Sequence, residues 1–128
     1  MIKRVEHVGI IVSDMDKSIQ FYEEMLGFQL RIRINNGEKE LAFLSHPGSP
    51  TFEIELIRDL EDTIHYCEHG LVNHVAFVVD DLETIIVKFQ EHHIPFVTAK
   101  PKQGLGRKTI RFKGPNGEIL QLVEERME

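Results

Sequence analysis

Two histidines stand at equivalent positions near the starts of two similar apolar segments of this chain. The first segment reads VEHVGIIVSD and the second VNHVAFVVDD, which places His7 and His74 sixty-seven positions apart. Alternate residues of a strand share a face, so each histidine shares its face with the small residue two positions on, Gly9 or Ala76. A small neighbour leaves room beside each imidazole for a group that is not a side chain.

A polar residue also interrupts the last apolar strand predicted in each half. The segment FEIELI carries Glu55 and the segment EILQLV carries Gln121. A carboxylate on a buried strand is costly unless it is paired or bound to a cation. Taken singly, these residues have ordinary explanations: a core histidine, an edge glutamate facing water, or an amide that the backbone satisfies. Together, two imidazoles, a carboxylate and an amide oxygen suit Zn, Ni, Co, Mn or Fe(II).

Basic residues offer a second kind of chemistry. The stretch KPKQGLGRK is basic in an acidic protein, and its Lys102 and Arg107 can hold the carboxylate or phosphate of an acidic substrate. A solvated hairpin loop explains the same stretch. Arg31 and Arg33 alternate with apolar residues, so the alternation predicts that both face a substrate cleft or both face water.

Composition limits the class of protein. The 128 residues are a one-domain length, and the net charge of −6 gives no electrostatic support for a nucleic-acid partner. No stretch approaches the roughly 18 apolar residues that a membrane span needs. The single cysteine, Cys67, cannot form an internal disulfide, which is typical of a reducing cytoplasm. We therefore expect a cytoplasmic, single-domain protein with neither a nucleic-acid nor a membrane partner.

The periodicity of apolar residues predicts the same order of elements in both halves: strand, helix, strand, strand, strand. Ser13 or Asp14 can cap the first helix, Asp80 or Asp81 can cap the second, and Gly27 can end the first. The helical stripes are formed by Met15, Ile19, Tyr22 and Leu26 in the first half and by Leu82, Ile85, Ile86 and Phe89 in the second.

Shorter alternating segments predict the remaining strands and the module boundaries. We expect one domain over residues 1–128, with module one at about 1–58, a partly helical linker at 59–70 and module two at 71–126. The strands that follow the helices are predicted at Phe28–Ile34, Glu40–Leu44 and Phe52–Ile57, and at Phe96–Ala99, Thr109–Phe112 and Ile119–Val123.

The paired βαβββ pattern resembles the vicinal-oxygen-chelate superfamily over essentially the whole chain. HVGIIVSDMDKSIQFYEEMLGF and NHVAFVVDDLE open the two modules, and IELI and GPNGEILQLVEE close them. That superfamily includes glyoxalase I (lactoylglutathione lyase), epimerases, fosfomycin-resistance thiol transferases, extradiol dioxygenases and metal-free drug-binding proteins of the bleomycin-resistance type. The resemblance implies an α+β fold, with two βαβββ modules forming a curled eight-stranded mixed sheet around a cleft. The resemblance also implies a homodimer, with the cleft formed either within one chain or across the dimer.

The resemblance also implies roles for the polar residues. His7, Glu55 and His74 match the metal ligands of the family, and Gln121 occupies the fourth ligand position, where the common pattern has glutamate. A neutral amide cannot act as a base, so Glu55 becomes the candidate catalytic residue, as ligand and base or as ligand alone. The implied protein is a glyoxalase I-like lyase or isomerase. It would use one divalent ion (Zn, Ni, Co or Mn) to stabilise the enediolate of a small carbonyl-derived or thiol-conjugated substrate.

Other members of the superfamily remain as alternatives. A metal-free binding protein is favoured by Gln121 and disfavoured by the presence of His7, Glu55 and His74 together. An epimerase is favoured by GLGRKTIRF, but RINNGEKELAF shows no convincing candidate for its second base. A thiol transferase would need a potassium loop that is not recognisable, and a dioxygenase would take its carboxylate from the other module.

Overall fold

The chain folds into two units of the same topology. A computed structural model describes residues 5–60, 74–104 and 106–125, and the chain divides into the compact units Met1–Tyr66 and Cys67–Glu128. The predicted linker lies outside the described residues from residue 61 onwards. Among the described residues, no helix is both long and apolar enough to cross a membrane.

In the residues that the structure describes, each unit has one helix and one four-stranded mixed sheet. The first has strand order β1-β4-β3-β2 and the second β5-β8-β7-β6, with the first and last strand of each unit parallel and the other pairs antiparallel. The α+β class and the two βαβββ modules are therefore confirmed, with eight strands that form two four-stranded sheets. The elements are β1 His7–Ile11, α1 Met15–Leu26, β2 Gln29–Asn35, β3 Lys39–His46 and β4 Ser49–Asp59, then β5 Val75–Val78, α2 Leu82–Glu91, β6 Lys102–Gly104, β7 Arg107–Lys113 and β8 Ile119–Glu125.

Local sequence signals set the ends of both helices. The side chain of Asp14 accepts a hydrogen bond from the backbone N–H of Lys17, and Gly27 ends α1 in the left-handed conformation with φ of 76°. The side chain of Asp81 caps α2 in the same way through the N–H of Thr84. The predicted capping positions are thus confirmed for both helices.

The apolar core of each unit lies between the helix and one face of its sheet. The helix contributes Met15, Ile19 and Tyr22 in the first unit, and Leu82, Ile86 and Phe89 in the second. The facing strand residues alternate with residues of the opposite face, as a half-buried sheet requires. These buried strand residues are Ala42, Leu44, Ile54 and Leu56 in the first unit and Ile110, Phe112, Leu120 and Leu122 in the second.

The other face of each sheet, on the side away from the helix, is called its open face here. Strand alternation and register place on it, in the first unit, His7, Gly9, Phe43, Glu53 and Glu55, and in the second unit Ala76, Thr109, Arg111, Lys113 and Gln121.

The prediction of a strand at Phe96–Ala99 is wrong. Phe96 makes an isolated bridge to Phe112, with two backbone hydrogen bonds around it, and the strand that pairs further along β7 is Lys102–Gly104, inside the predicted turn. Pro101 has no N–H to donate to a ladder, so pairing along this edge of β7 is interrupted before it resumes at β6.

Candidate functional site

The first unit brings His7 and Glu55 together on its open face. Strands β1 and β4 run parallel with Gly9 opposite Glu55, and the His7 Nε2 atom lies 3.7 Å from Glu55 Oε1. A Cβ atom added to Gly9 would lie 3.7 Å from the same carboxylate oxygen and 3.2 Å from Ile57 Cδ1. A side chain at Gly9 would therefore crowd Ile57, whereas its contact with the Glu55 carboxylate would be an ordinary van der Waals contact.

A second carboxylate orients the imidazole from its other side. Glu6 Oε1 lies 3.0 Å from His7 Nδ1, so Nδ1–H can donate to this carboxylate, and in the neutral tautomer that does so the lone pair is on Nε2. Metal-bound histidines commonly have such an acceptor behind them. Sequence reasoning missed Glu6, because neighbouring strand residues point to opposite faces and Glu6 precedes the first residue of β1.

The His7–Glu55 pair fits a divalent ion. A separation of 3.7 Å between Nε2 and Oε1 is too long for a hydrogen bond. Two ligand atoms that each lie about 2.1 Å from one ion are separated by up to about 4 Å. The donor chemistry and the spacing of these two atoms are thus those of adjacent ligands.

The second unit repeats this arrangement with different side chains. Ala76 pairs with Gln121 as Gly9 pairs with Glu55, and His74 lies two residues before Ala76 as His7 lies two before Gly9. Gln121 is therefore the positional counterpart of Glu55. Among the described residues, no three His, Cys, Asp or Glu side chains form a group able to hold a metal. A single ion shared by His7, Glu55, His74 and Gln121 stays a prediction.

Arg31 and Arg33 do not share a face, so the prediction that they do is wrong. The register of β2 against β3 shifts between Leu30 and Ile32, which leaves Arg31 in a β-bulge. One extra residue reverses the facing of every side chain beyond it. Arg31 contacts Glu53 on the open face, whereas Arg33 contacts Asp16 of α1.

Arg31 is already engaged by a carboxylate. Its Nε and Nη2 atoms donate to the two oxygens of Glu53 at 2.6 and 2.9 Å, and its guanidinium carbon lies 5.4 Å from the centre of the Phe43 ring. The hydrogen bond from Arg31 lowers the pKa of the Glu53 carboxyl, and the same contact raises the pKa of Arg31. Glu53 is consequently a weaker base than a carboxylate without such a partner. Substrate binding by Arg31 stays a prediction.

Arg33 links the sheet to the helix. It donates to Glu40 at 2.9 Å and to Asp16 at 2.6 Å, and Arg58 reaches Glu40 at 3.3 Å. The hydrogen bond from Arg33, aided by the one from Arg58, lowers the pKa of Glu40. Arg33 therefore lies on the opposite side of the sheet from His7 and Glu55, and its predicted role in substrate binding would need a substrate on that helix-facing side.

The predicted basic residues Lys102 and Arg107 lie on a hairpin. Lys102 of β6 is paired with Thr109 of β7, and Arg107 is paired with Gly104 on one side and Glu125 on the other. Both side chains are exposed. Their role in holding an acidic substrate stays a prediction.

Glu124 lies on the helix-facing side of β8, as its spacing from Gln121 predicts. Its Oε1 accepts a hydrogen bond from the backbone N–H of Leu82 at the start of α2, at 2.9 Å. Glu124 therefore does not supply the carboxylate that Gln121 lacks.

Sequence reasoning also missed Arg111. It is directly opposite Gln121 in the register of β7 against β8, so it is the counterpart of Phe43, which is opposite Glu55. The available signal was the alternation in RKTIRFK, which puts Arg107, Arg111 and Lys113 on one face.

Comparisons with known proteins agree with this fold. The family model described as the Glyoxalase/Bleomycin resistance protein/Dioxygenase superfamily matches residues 4–122. The uncharacterized protein YwbC of Bacillus subtilis is 36% identical over 97% of this chain and 99% of its own length. Lactoylglutathione lyase of Haemophilus influenzae is 36% identical over 95% of this chain and 84% of its own length. The crystal structure of a glyoxalase family protein from Bacillus cereus has a TM-score of 0.83 and 25% identity, covering 99% of this chain and 97% of that one.

Proposed function

The chain belongs to the Glyoxalase/Bleomycin resistance protein/Dioxygenase superfamily, and on that premise we propose that it is a metal-dependent glyoxalase I-like lyase or isomerase. The observation that carries the proposal is the His7–Glu55 pair, with Nε2 and Oε1 3.7 Å apart and the imidazole oriented by Glu6. Members of this superfamily commonly use a divalent metal and act on small molecules. The 36% identity to a lactoylglutathione lyase supports the same reaction class.

The proposed ligand set combines both modules. His7 and Glu55 of the first unit, with His74 and Gln121 of the second, bind one Zn, Ni, Co or Mn ion, within one chain or between the two chains of a homodimer. When bound, such an ion polarises the oxygens of a carbonyl-derived substrate and stabilises the negative charge that develops as a carbon-bound proton leaves.

Glu55 is the proposed proton carrier. One oxygen of its carboxylate faces His7, and no hydrogen bond among the described residues engages the other oxygen, which can take a proton from one carbon and return it to the next. Glu53 is less suited to this role, because its two oxygens are held by Arg31 and its pKa is lowered. Gln121 cannot take a proton.

Metal content tests the proposal directly. Protein without a histidine tag, purified without chelators, is analysed by mass spectrometry beside His7→Ala and His74→Ala, with His92→Ala as the control for an exposed histidine outside the proposed site. We expect about one ion per chain in the wild type and the control, and loss of the ion in both other variants. A Glu6→Gln variant is expected to weaken metal binding by about tenfold.

Activity is then measured with the metal that the protein contains. Hemithioacetals of methylglyoxal with several thiols are the first substrates, and isomerisation to the thioester is the expected reaction. If the protein takes up none of Zn, Ni, Co and Mn, the lyase proposal fails and the chain is better described as a metal-free binding protein of the same fold. If only His7→Ala loses the ion, a ligand set shared between the modules is wrong.

A further inference from the structure

The open face of the second unit carries unneutralised positive charge on strand β7. Arg107, Arg111 and Lys113 alternate with helix-facing residues, and within the described part of the chain none of their side chains forms an ion pair. By contrast Lys108, on the helix-facing side of the same strand, binds Glu83 at 2.6 Å. On the open face, Arg107 has Glu125 directly across from it on β8, whereas Arg111 and Lys113 have Gln121 and Ile119 and no carboxylate opposite.

Arg111 is the cation for which this matters most, because it lies in the middle of the sheet. Gln121 is paired with it on one side, and on the other its backbone carbonyl accepts a hydrogen bond from Val97 at 2.9 Å. Its side chain is half-buried. Removing a guanidinium from water without an anionic partner costs free energy, which water or a bound anion must offset.

Gln121 keeps this charge available. A glutamate at the same position would place a carboxylate directly across from Arg111 and neutralise it. The amide instead has two functions: its oxygen can bind a cation, and its NH₂ group can donate to an anion. In the first unit the charge is on the other strand of the pair: the charged residue is Glu55 on β4, and the apolar Phe43 lies across from it on β3.

We propose that Arg111 and Lys113, together with the Gln121 amide, bind a carboxylate that belongs to the reacting part of the substrate. The substrate is then itself an organic acid, with its carboxylate next to the oxygens that the metal would bind. This inference rests on the proposed function, because Gln121 is both a proposed ligand and the direct neighbour of Arg111. Lys113 lies two residues further on the same face, about 6–7 Å along the strand, and adds a second positive charge.

The test compares an acid with its neutral analogue. Binding of lactate and of lactamide to the purified protein is measured by ligand-observed NMR, because these two molecules differ in charge and hardly in size. We expect Arg111→Gln to weaken lactate binding by about tenfold and to leave lactamide binding unchanged. Lys113→Gln is expected to weaken lactate binding by about threefold, since a lysine offers a point charge and no bidentate contact.

Two further variants separate a local effect from a general one. Lys108→Gln removes the same charge from the opposite face of β7 and should leave lactate binding unchanged. Arg111→Lys keeps the charge and should recover part of the affinity, provided that its melting temperature equals that of Arg111→Gln. Equal lactate affinity in the wild type and Arg111→Gln would overturn the inference.

Metal content, measured on the same samples, distinguishes this inference from the proposed function. If Arg111→Gln loses its metal, Arg111 acts by positioning Gln121 and the carboxylate site is wrong. If the wild type binds no metal but still prefers lactate through Arg111, the lyase proposal fails and the carboxylate site stands.

Discussion

The two units share one topology and differ in the charge of equivalent positions. On the open faces, Phe43 and Glu55 of the first unit correspond to Arg111 and Gln121 of the second. On the helix-facing sides, the cross-strand pair of Glu40 and Arg58 corresponds to Lys108 and Glu124. A repeated fold therefore fixes where side chains stand, while the charge at each position is free to reverse. The first open face presents a carboxylate at this position, and the second presents an amide beside a guanidinium.

The largest expected effect is on metal binding, when Glu55 of the first unit is replaced by glutamine, the residue that the second unit has at the equivalent position. Glu55→Gln should weaken metal binding by about 100-fold or more, because it replaces an anionic ligand with a neutral one beside His7. Competition with a chelator of known affinity measures the loss.

The matched control is Glu53→Gln, which removes a carboxylate two residues away on the same strand and face. Its metal affinity should stay within about threefold of the wild type. Equal losses in the two variants would mean that the acidic face attracts the ion through its overall charge, without a ligand at Glu55.

A smaller effect is expected on lyase activity, when the cross-strand pair Arg111 and Gln121 of the second unit is replaced by the residues found in the first unit, phenylalanine and glutamate. Gln121→Glu alone places its carboxylate across from Arg111, and the resulting ion pair should lower the pKa of the new glutamate and make it a weak base. The double variant Gln121→Glu/Arg111→Phe removes that cation. We expect its lyase activity on a neutral hemithioacetal to exceed that of the single variant by about tenfold. Equal activities would show that Arg111 does not control a base at this position.

The smallest effect concerns the helix-facing sides. Glu40→Gln should destabilise the fold by about 1 kcal/mol at pH 7, since it leaves Arg33 and Arg58 without their shared carboxylate. In the wild type, the pKa of the folded-state Glu40 carboxyl lies below the ordinary value of 4.5. The stabilisation that this carboxylate contributes is therefore fully present above pH 4.5 and is lost as the pH falls through the folded-state pKa. Denaturant unfolding at pH 7 and pH 3 should therefore give a difference that shrinks at the lower pH. Lys108→Gln, which breaks a single pair in the second unit, should cost about 0.5 kcal/mol or less.

The sequence predicts those features that depend on local pattern. The helix caps Asp14 and Asp81 follow from side chains that bond to nearby N–H groups. The equivalence of Glu55 and Gln121 follows from the repeat. Strands β1 and β5 have the same alternation and an equivalent histidine, at the start of β1 and just before β5, and they pair in equivalent registers with β4 and β8, which carry Glu55 and Gln121.

Other features depend on contacts that alternation does not encode. The shift at Arg31 adds one residue to a segment that still reads as regular alternation, so the sequence does not reveal that Arg33 turns to the helix. Strand β6 has no apolar pattern, and it forms because the hairpin places Lys102 opposite Thr109. The contact of Glu6 with His7 joins adjacent residues, which an extended strand would point to opposite faces.

One edge strand of each sheet, β2 in the first and β6 in the second, has a consequence for the behaviour of the protein at high concentration. Strand β2 ends the first sheet with a bulge and two arginines, and β6 ends the second with three residues that follow Pro101 and begin with Lys102. A bulge, a short strand, a proline and charged side chains each make an edge a poor template for a strand from another molecule. These two edges therefore resist the strand addition that starts aggregation, and deleting Arg31 to restore a regular β2 would weaken that protection.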